Sequence, residues 1–565
     1  MRNVGTVVRG IRTPIIKEND NLENIVIDSL LKAKESDGFE FRDKDVVAIT
    51  EAVVGITEGN YATVDQIAED VRNKFPSKEL ALVFPSPYSG NRFGILLKGI
   101  ARAMDKIIIC MTYPKDEEGN SLFDESLLEK YDINHIHCTT CQTFQLHDLP
   151  FNIIADVITD AIENGFYCIG GGGDFPRNVM VSPLSGVEKD ENFDVFPYAQ
   201  KAADYLISQI ETVKMPRKLK VCFSNSPANA VHATFRDLGF VSSPDGKFDV
   251  YCAGGMGANP RMGVKIAEKT DGTQVLYYVK AMISFFCKYG NYEVRSKART
   301  RYIQEELGDE FTEKFNIELH KALDEGGLDC NITENKVTKI GCKAEINSRR
   351  IIEQKQKGLY AVKFHPIGGI LNVNILKDLF NTIRDMPDVS LRISPDETIY
   401  IINCDGMEAQ EVLKATECSA KTDIEESVAC IGASICQQGL RDSQELLKQI
   451  IEKVKPFNFP ADALPVLHIS GCRSSCGTHQ IGKIGFHGKV KMIDKKPLPG
   501  FAVSISGNDE QGNENFGEEL GVMASGDIPE FVIELGKAVT ESGMDYEKFA
   551  SEKESVLREI INKYV

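Results

Sequence analysis

The sequence predicts an α+β protein in which two similar halves repeat in a pseudo-two-fold manner behind an extra N-terminal α/β domain. Three observations carry this expectation. The 565 residues exceed what one hydrophobic core holds, and suggest roughly three or four domains. Up to about residue 134, apolar strand-like runs alternate with amphipathic helix candidates. The rest of the chain repeats itself, and a repeat fixes architecture before any single motif does.

In the N-terminal region DVVAITEAVVGI, ELALVFP and KIIICMTYP read as strands. NLENIVIDSLLKAKE reads as a helix, because Leu22, Ile25, Ile27, Leu30 and Leu31 largely keep one face. In the repeat, KVCFSNSPANAVHATFRDLGF (220–240) lies beside VLHISGCRSSCGTHQIGKIGF (466–486): strand, Ser-rich loop, helix start, then Leu or Ile followed by Gly-Phe. Downstream, FDVYCAGG matches FAVSISG, and upstream HIHCTTCQTFQLHDL (135–149) parallels SLRISPDETIYIINC (390–404), each two strands joined by a polar turn. The second copy carries an extra front piece, GLYAVKFHPIGGILNVNILKDLFNTIRDMPDV, reading strand, Gly-rich loop, helix. Before the first copy, residues 106–134 have the same order and are expected to fill that layer. The expected divisions are 1–134, 135–355, 356–420 and 421–565.

Composition narrows the function. A net charge of -18 disfavours nucleic acid and anionic membranes as partners, since both repel an acidic surface. No stretch approaches the roughly 18 apolar residues of a membrane span, and the N-terminus lacks a signal-peptide core, so a cytoplasmic location is expected. Fifteen cysteines without a secretion signal favour reduced thiols and metal ligation over disulfides. Against the acidic background two basic clusters, MPRKLK and RSKARTRY, are informative. GGGGD (170–174) lacks the Lys-Ser/Thr ending of a phosphate loop.

The chemistry concentrates near the C-terminus. CIGASIC carries Cys430 and Cys436, and GCRSSCG carries Cys472 and Cys476. Two clipped thiol pairs flanked by glycines suit an iron–sulfur cluster, whose bulky core needs close backbone approach. Structural zinc and inert buried thiols are the alternatives, although the gap in the first pair fits zinc ribbons poorly. Between the pairs, Asp442 and Glu445 are placed to cap a helix with an apolar stripe of Leu446, Leu447, Ile450, Ile451 and Val454, ended by Pro456.

CIGASICQQGLRDS followed by HISGCRSSCGTHQIGKIGF resembles the siroheme and iron–sulfur signature of the assimilatory nitrite/sulfite reductase family. TTCQTFQLHDL, GGGGDFPRNVMVSPLSG, MPRKLKV and KARTRYIQEELG resemble further family motifs in their usual order, over residues 135–545. The resemblance implies ferredoxin-like and siroheme-reductase α/β units in each half. It implies a 4Fe-4S cluster on Cys430, Cys436, Cys472 and Cys476, with Cys476 shared with siroheme. By the same resemblance Arg177, Lys218 and Lys220 face a small oxyanion. Thr139, Thr140, Gln142 and Gln145 are expected at the macrocycle edge, and Arg295, Lys297, Arg299 and Arg301 are candidates for its carboxylates. His147 and His479 are hydrogen-bond donors or structural.

The implied activity is six-electron reduction of sulfite to sulfide or nitrite to ammonia. Electrons would come from a ferredoxin or a separate reductase subunit, since no flavin or nicotinamide fingerprint is convincing. Cys141 stands where many relatives have Arg, Lys483 stands where an acid is common, and the front strand with its Arg is missing. Residues 1–134 instead resemble the N-terminal part of the coenzyme F-420 γ-glutamyl ligase family, through GIRTPIIKENDNL, DVVAITEAVVGITEGN and KIIICMTYPKDEEGN. Competing expectations are a cofactor-binding protein with impaired turnover and a γ-glutamyl ligase.

Overall fold

The computed structural model describes residues 8–43, 45–84, 90–111, 135–147, 149, 154–163, 170–332 and 337–565. It divides into two units, residues 1–130 and 131–565.

In the first unit the helix Leu22–Asp37 forms as expected, with the Asn21 side chain accepting from the Asn24 N–H as N-cap. A capping box of Thr63 and Gln66 starts the helix Val64–Lys74. Strands β1 (Glu79–Phe84) and β2 (Lys106–Met111) pair in parallel, with the helix Gly90–Ala103 between them. DVVAITEAVVGI does not form the expected strand. Residues 45–50 pair with nothing in the described sheets, and Glu51–Thr57 is helical. A β-prone run with no neighbouring strand has no partner for its backbone groups, whereas a helix satisfies its own. The strand expected to open the stand-in for the missing front piece forms as β2 and pairs with β1. The loop and helix expected after it lie outside the described residues.

The second unit shows the repeat in its hydrogen bonds. Strands β3 (His135–Cys138) and β4 (Phe144–Gln145) form a hairpin. Strands β5 (Met180–Val181), β6 (Val221–Ser224), β7 (Leu238–Ser242), β8 (Phe248–Cys252) and β9 (Val264–Thr270) form a five-stranded sheet in that order. After them come β10 (Ile351–Glu353), β11 (Leu359–Phe364), β12 (Ile370–Asn372), β13 (Ser390–Ile393) and β14 (Ile399–Asp405). Strands β15 (Val428–Ala429), β16 (Leu467–Ser470), β17 (Ile484–Ile493), β18 (Lys496–Ile505) and β19 (Glu518–Ala524) form a second five-stranded sheet, again in sequence order. In both five-stranded sheets the first two pairings are parallel and the last two antiparallel. Val221 pairs with Leu238 as Leu467 pairs with Ile484, so the register repeats too.

The loop after each second strand also repeats. Asn229 and His232 are left-handed in the first half, Ser475 and Thr478 in the second. No helix starts there. The first copy makes one short 3-10 turn, Ala233–Phe235, because the chain must dive under the next strand. A Cβ at Gly239 would stand 1.9 Å from the Ala233 carbonyl oxygen, and one at Gly485 1.8 Å from that of His479.

The middle sheet has the order β10-β11-β14-β13, with helices Val373–Ile383 and Gly406–Ala415. Its first strand, β10, precedes the division expected at 355, so the sheet begins earlier in the chain than the sequence suggested. Strand β12 pairs instead with β3, which binds the front of one half to the middle of the other. Each five-stranded sheet has its own core. Phe223 and Phe240 stack at 4.6 Å in the first, and Phe486 packs edge-on to Phe531 in the second.

Candidate functional site

The cysteine loops leave the C-terminal ends of β15 and β16, which are parallel neighbours, so both emerge on one side of the sheet. The Cys430 N–H donates to the Ile469 carbonyl at 3.0 Å, and its sulfur accepts from the Gly471 N–H at 3.1 Å. Ser443, the first residue of the helix Ser443–Val454, donates its hydroxyl to the Cys430 carbonyl at 2.6 Å and lies 3.2 Å from the sulfur. The helix is capped by Asp442 as the sequence predicted, so it fixes the first cysteine through its N-terminal turn. Gly432, left-handed at φ 73°, accepts from the Cys436 N–H at 2.8 Å and turns the chain back.

Burial raises the Cys430 thiol above its usual range. Cys476 is open to solvent as a residue, while protein packs around its sulfur. Burial there, with the nearby Cys430, pushes its thiol up to about 11 against the pull of Lys220 and Lys218. Such thiols ionise readily only beside added positive charge, which iron supplies. Among the described residues no group of three or more His, Cys, Asp or Glu side chains could share a single metal ion. Four thiols in Gly-rich loops, with a backbone N–H already aimed at one sulfur, form a donor set that fits an iron–sulfur cluster.

The polar turn after β3 approaches Cys476 from the other half. The Thr140 hydroxyl donates to the Cys476 carbonyl at 2.6 Å. The next residue, Cys141, accepts from the Lys220 ammonium at 3.0 Å, and its own carbonyl accepts from the Asn178 side chain at 2.6 Å. Burial alone would raise the Cys141 thiol, but Lys220, Arg236 and Lys218 outweigh it and hold the value at about 6. Lys218 is driven the other way. Burial and the adjacent Lys220 and Arg299 lower its ammonium to about 8. Two lysines, one poised to release a proton near neutrality, thus converge with a thiolate beside the last cysteine.

Other expected residues are placed differently. Arg177 folds back on its own glycine loop, donating to the carbonyls of Gly171 and, at 2.9 Å, Gly173. Arg295 forms a two-pronged pair with Asp174 at 2.7 and 3.1 Å, where Arg217 also binds. Arg299 pairs with the fully buried Asp237 at 2.8 Å, and Asp237 also takes the Lys220 N–H and the Thr300 hydroxyl. Arg301 is buried against Gly255 and Gly257, while Lys297 is exposed.

Gln142, expected at the macrocycle edge, holds backbone on both sides of its turn. Its amide donates to the carbonyls of Val181 and Ile393 and accepts from the Val181 N–H, all within 2.8 Å. Thr139 bonds Thr143 within the turn, and Gln145 is exposed on β4. His479 is buried, bonded to Ser470 and stacked on His487, and burial pushes it down to about 3. Lys483 pairs with Glu547 at 3.3 Å.

Two features were not singled out from sequence. Arg236, buried and bonded to His232, helps ionise Cys141, and the only sequence signal was its place inside the repeated segment. The first half also holds an unliganded copy of the cysteine site. Ser182 accepts from the Asn225 N–H at 3.1 Å, as Cys430 accepts from Gly471. Ser226 and Ala230 stand where the repeat places Cys472 and Cys476, and they line a cavity of about 360 Å³ with His232 and Asp396. Without thiols, this copy has no donor set for a cluster.

Residues 172–323 match the family model described as the nitrite and sulphite reductase 4Fe-4S domain, a stretch that ends before the four cysteines. The chain is 23% identical to the chloroplastic ferredoxin–nitrite reductase of Arabidopsis thaliana, over 65% of this chain and 64% of that protein, just under two thirds of its length. It is 23% identical to sulfite reductase [ferredoxin] 1 of Mycolicibacterium paratuberculosis, covering 73% of this chain and 75% of the relative. It is 25% identical to the sulfite reductase [NADPH] hemoprotein beta-component of Bacillus pumilus, over 71% and 77%. The solved structure of Mycobacterium tuberculosis NirA superposes with a TM-score of 0.61 at 22% identity, over 72% of this chain and 76% of that one, which shows a shared fold. These similarities support the nitrite/sulfite reductase family and imply siroheme and a 4Fe-4S cluster as cofactors. The resemblance of the N-terminal unit to a γ-glutamyl ligase gains no support from them. No helix among the described residues is long and apolar enough to cross a membrane.

Proposed function

We propose that the chain is an oxidoreductase that reduces a small oxyanion by six electrons, sulfite in preference to nitrite, with electrons passing from a 4Fe-4S cluster on Cys430, Cys436, Cys472 and Cys476 to siroheme. One observation carries the reading: the Thr140 hydroxyl on the Cys476 carbonyl sets the cationic Lys218–Lys220 pocket beside the thiolate that would join the two centres. When bound, the coupled cofactors would supply electrons singly for the reduction of the anion.

The chain's own residues hold charge and move protons. Lys220, bonded to Cys141, is held in a fixed position on the pocket wall. Lys218, at about 8, is the group able to give a proton to a departing oxygen and recover one from water near neutral pH. A pair of lysines suits a dianion better than a monoanion, which supports sulfite over nitrite. Arg299 acts one step back, since the Asp237 it neutralises also takes the Lys220 backbone N–H. The protein is expected in the cytoplasm, with a ferredoxin or a separate reductase subunit as donor.

The purified protein, loaded with both cofactors, should show a Soret band with iron and acid-labile sulfide, and should consume sulfite with reduced viologen. A preparation that takes up neither cofactor, or takes up both and reduces neither anion, would overturn the proposal.

A further inference from the structure

We propose that the cavity of about 360 Å³ lined by Ser226 and Asp396 is a binding site for an aliphatic di- or triamine. The site stands apart from the reduction chemistry and does not depend on it.

The cavity is built from the positions that form the cysteine pocket, taken from the opposite copies of the repeat, with the charge reversed. Ser226 and Ala230 stand for Cys472 and Cys476, and the turn of Ser394 and Asp396 stands for that of Thr139 and Cys141. Where the cysteine pocket has Lys218 and Lys220, the same register of the repeat gives Leu464 and Val466, and Val466 lines the cavity. Four carboxylates line it, those of Glu188, Asp396, Glu426 and Asp509, and no lysine or arginine does.

Three of these carboxylates have no Lys or Arg partner among the described residues. Glu426 pairs with Lys363 at 2.6 Å, but Glu188 takes only the Asn225 amide at 2.8 Å, and Asp396 takes the Thr398 N–H at 3.1 Å. Asp509 meets His232 Nε2 at 3.2 Å. Arg236 donates to the other nitrogen of that ring and burial lowers the imidazole below its usual range, so His232 donates to Asp509 as a neutral group. The hydroxyls of Tyr400 and of Ser226, a residue 8% exposed, line the same cavity and have no hydrogen-bond partner among the described residues. Burial, then Asp396, Glu426 and Glu188, raise the Tyr400 hydroxyl well above its usual range. Carboxylates gathered in a concavity without protein cations are costly unless positive charge comes from outside.

The spread of that charge selects the class of ligand. Among the described residues no three acids or imidazoles converge closely enough to hold one metal ion, so the positive charge must arrive at several separated points. Ammonium groups joined by methylenes meet this need, each giving N–H donors to a carboxylate or to a free hydroxyl. The methylenes then lie against Ala228, Ala230 and Val428. Tyr400 is the single Phe, Tyr or Trp of the lining, so there is no aromatic cage for a quaternary ammonium. The volume falls within the roughly 300–1,000 Å³ of small-molecule sites.

The test is calorimetric titration of the full chain, as purified, with putrescine and with spermidine at about 0.15 M salt, where exposed charges are largely screened. At least one of the two amines should saturate a single site per chain, and an equal concentration of Mg²⁺ should not displace it. Val466→Lys sets an ammonium where the other half has Lys220, and Glu188→Gln removes one unpaired carboxylate. Each should weaken binding by about tenfold or more, the loss of one charge contact, while the circular dichroism spectrum stays that of the wild type. If Val466→Lys does not fold, Glu188→Gln decides. No saturable binding of either amine would overturn the site, as would displacement by Mg²⁺. Several weak sites per chain, equal in wild type and variants, would assign the binding to the acidic surface and overturn it too. Turnover plays no part in these readouts, so the titration decides the cavity whether or not the chain reduces sulfite.

Discussion

The Thr140 hydroxyl donates to the Cys476 carbonyl oxygen across 2.6 Å, joining residues 336 apart in the chain. Thr140 is 7% exposed, so the bond is made away from bulk water. It fixes the distance between the turn that carries Cys141 and the loop that carries the last cysteine. Thr140→Val keeps the shape and removes the donor, leaving a carbonyl without its partner. The expected cost is about 1–3 kcal/mol of stability. The Soret maximum and the electron paramagnetic resonance signal should shift as well, and Thr140→Ser should restore both. A Thr140→Val protein with wild-type spectra would show that the bond does not position Cys476.

Lys218 should trade stability for activity. Burial and neighbouring cations lower its ammonium from the usual 10.5 to about 8, so the folded chain binds fewer protons there than the unfolded chain does. Its contribution to stability is therefore fully present only above about pH 10.5, and is lost as pH falls through about 8. Lys218→Met should raise the melting temperature at pH 7 by a few degrees, with the gain vanishing toward pH 10.5. Sulfite turnover should fall by about 10²-fold or more, as for loss of a positioned proton donor. In the wild type, turnover should decline above about pH 8. A melting temperature that drops at pH 7 would contradict the strained placement of this lysine.

Much of this arrangement is written locally in the chain, and the rest is not. The Asp442 cap, the two polar hairpin turns and the repeated Gly-Phe strands follow from spacing and turn chemistry, which act over a few residues. The failure of DVVAITEAVVGI to form a strand turns on whether a partner strand exists, and no single run of residues encodes that. The arginines show the same limit. Sequence marks Arg177, Arg295 and Arg299 as cationic, but their ends go to Gly171, Asp174 and Asp237, partners set by tertiary packing. The Lys220–Cys141 contact links residues 79 apart and had no local signal.

Gln142 and Glu397 occupy the same position in the two hairpin turns, each left-handed and each accepting from the strand that follows across the fold. Gln142 takes the Val181 N–H at 2.8 Å, and Glu397 takes the Ala429 N–H at 3.3 Å, one residue before Cys430. Glu397 is 1% exposed, and burial raises its carboxyl well above the usual range, so the neutral acid imitates the amide of Gln142. A raised carboxyl stabilises the fold below the ordinary value near 4.5, and that contribution is lost as pH rises through the folded value. Glu397→Gln should therefore remove the alkaline loss of stability while keeping full iron and sulfide content. Glu397→Ala should cost about 1–3 kcal/mol and lower cluster content by freeing the Ala429 N–H. Parallel pH–stability curves for wild type and Glu397→Gln would refute a neutral acid at this position.

The two halves also supply a matched control for the cysteine site. At Gly485 an added Cβ would stand 1.8 Å from the His479 carbonyl, and at Gly239 1.9 Å from the Ala233 carbonyl, so neither turn admits a side chain without moving backbone. Both Gly485→Ala and Gly239→Ala should destabilise the protein by about 3 kcal/mol, the upper part of the range for overpacking. Their effects on the site should differ. The loop displaced by Gly485→Ala carries Cys472 and Cys476, so iron and acid-labile sulfide per chain should fall. The loop displaced by Gly239→Ala carries Ser226 and Ala230, so the folded fraction should keep its full complement. Equal loss of iron in the two variants would mean that the halves do not hold separate sites, and that cluster loss follows global unfolding.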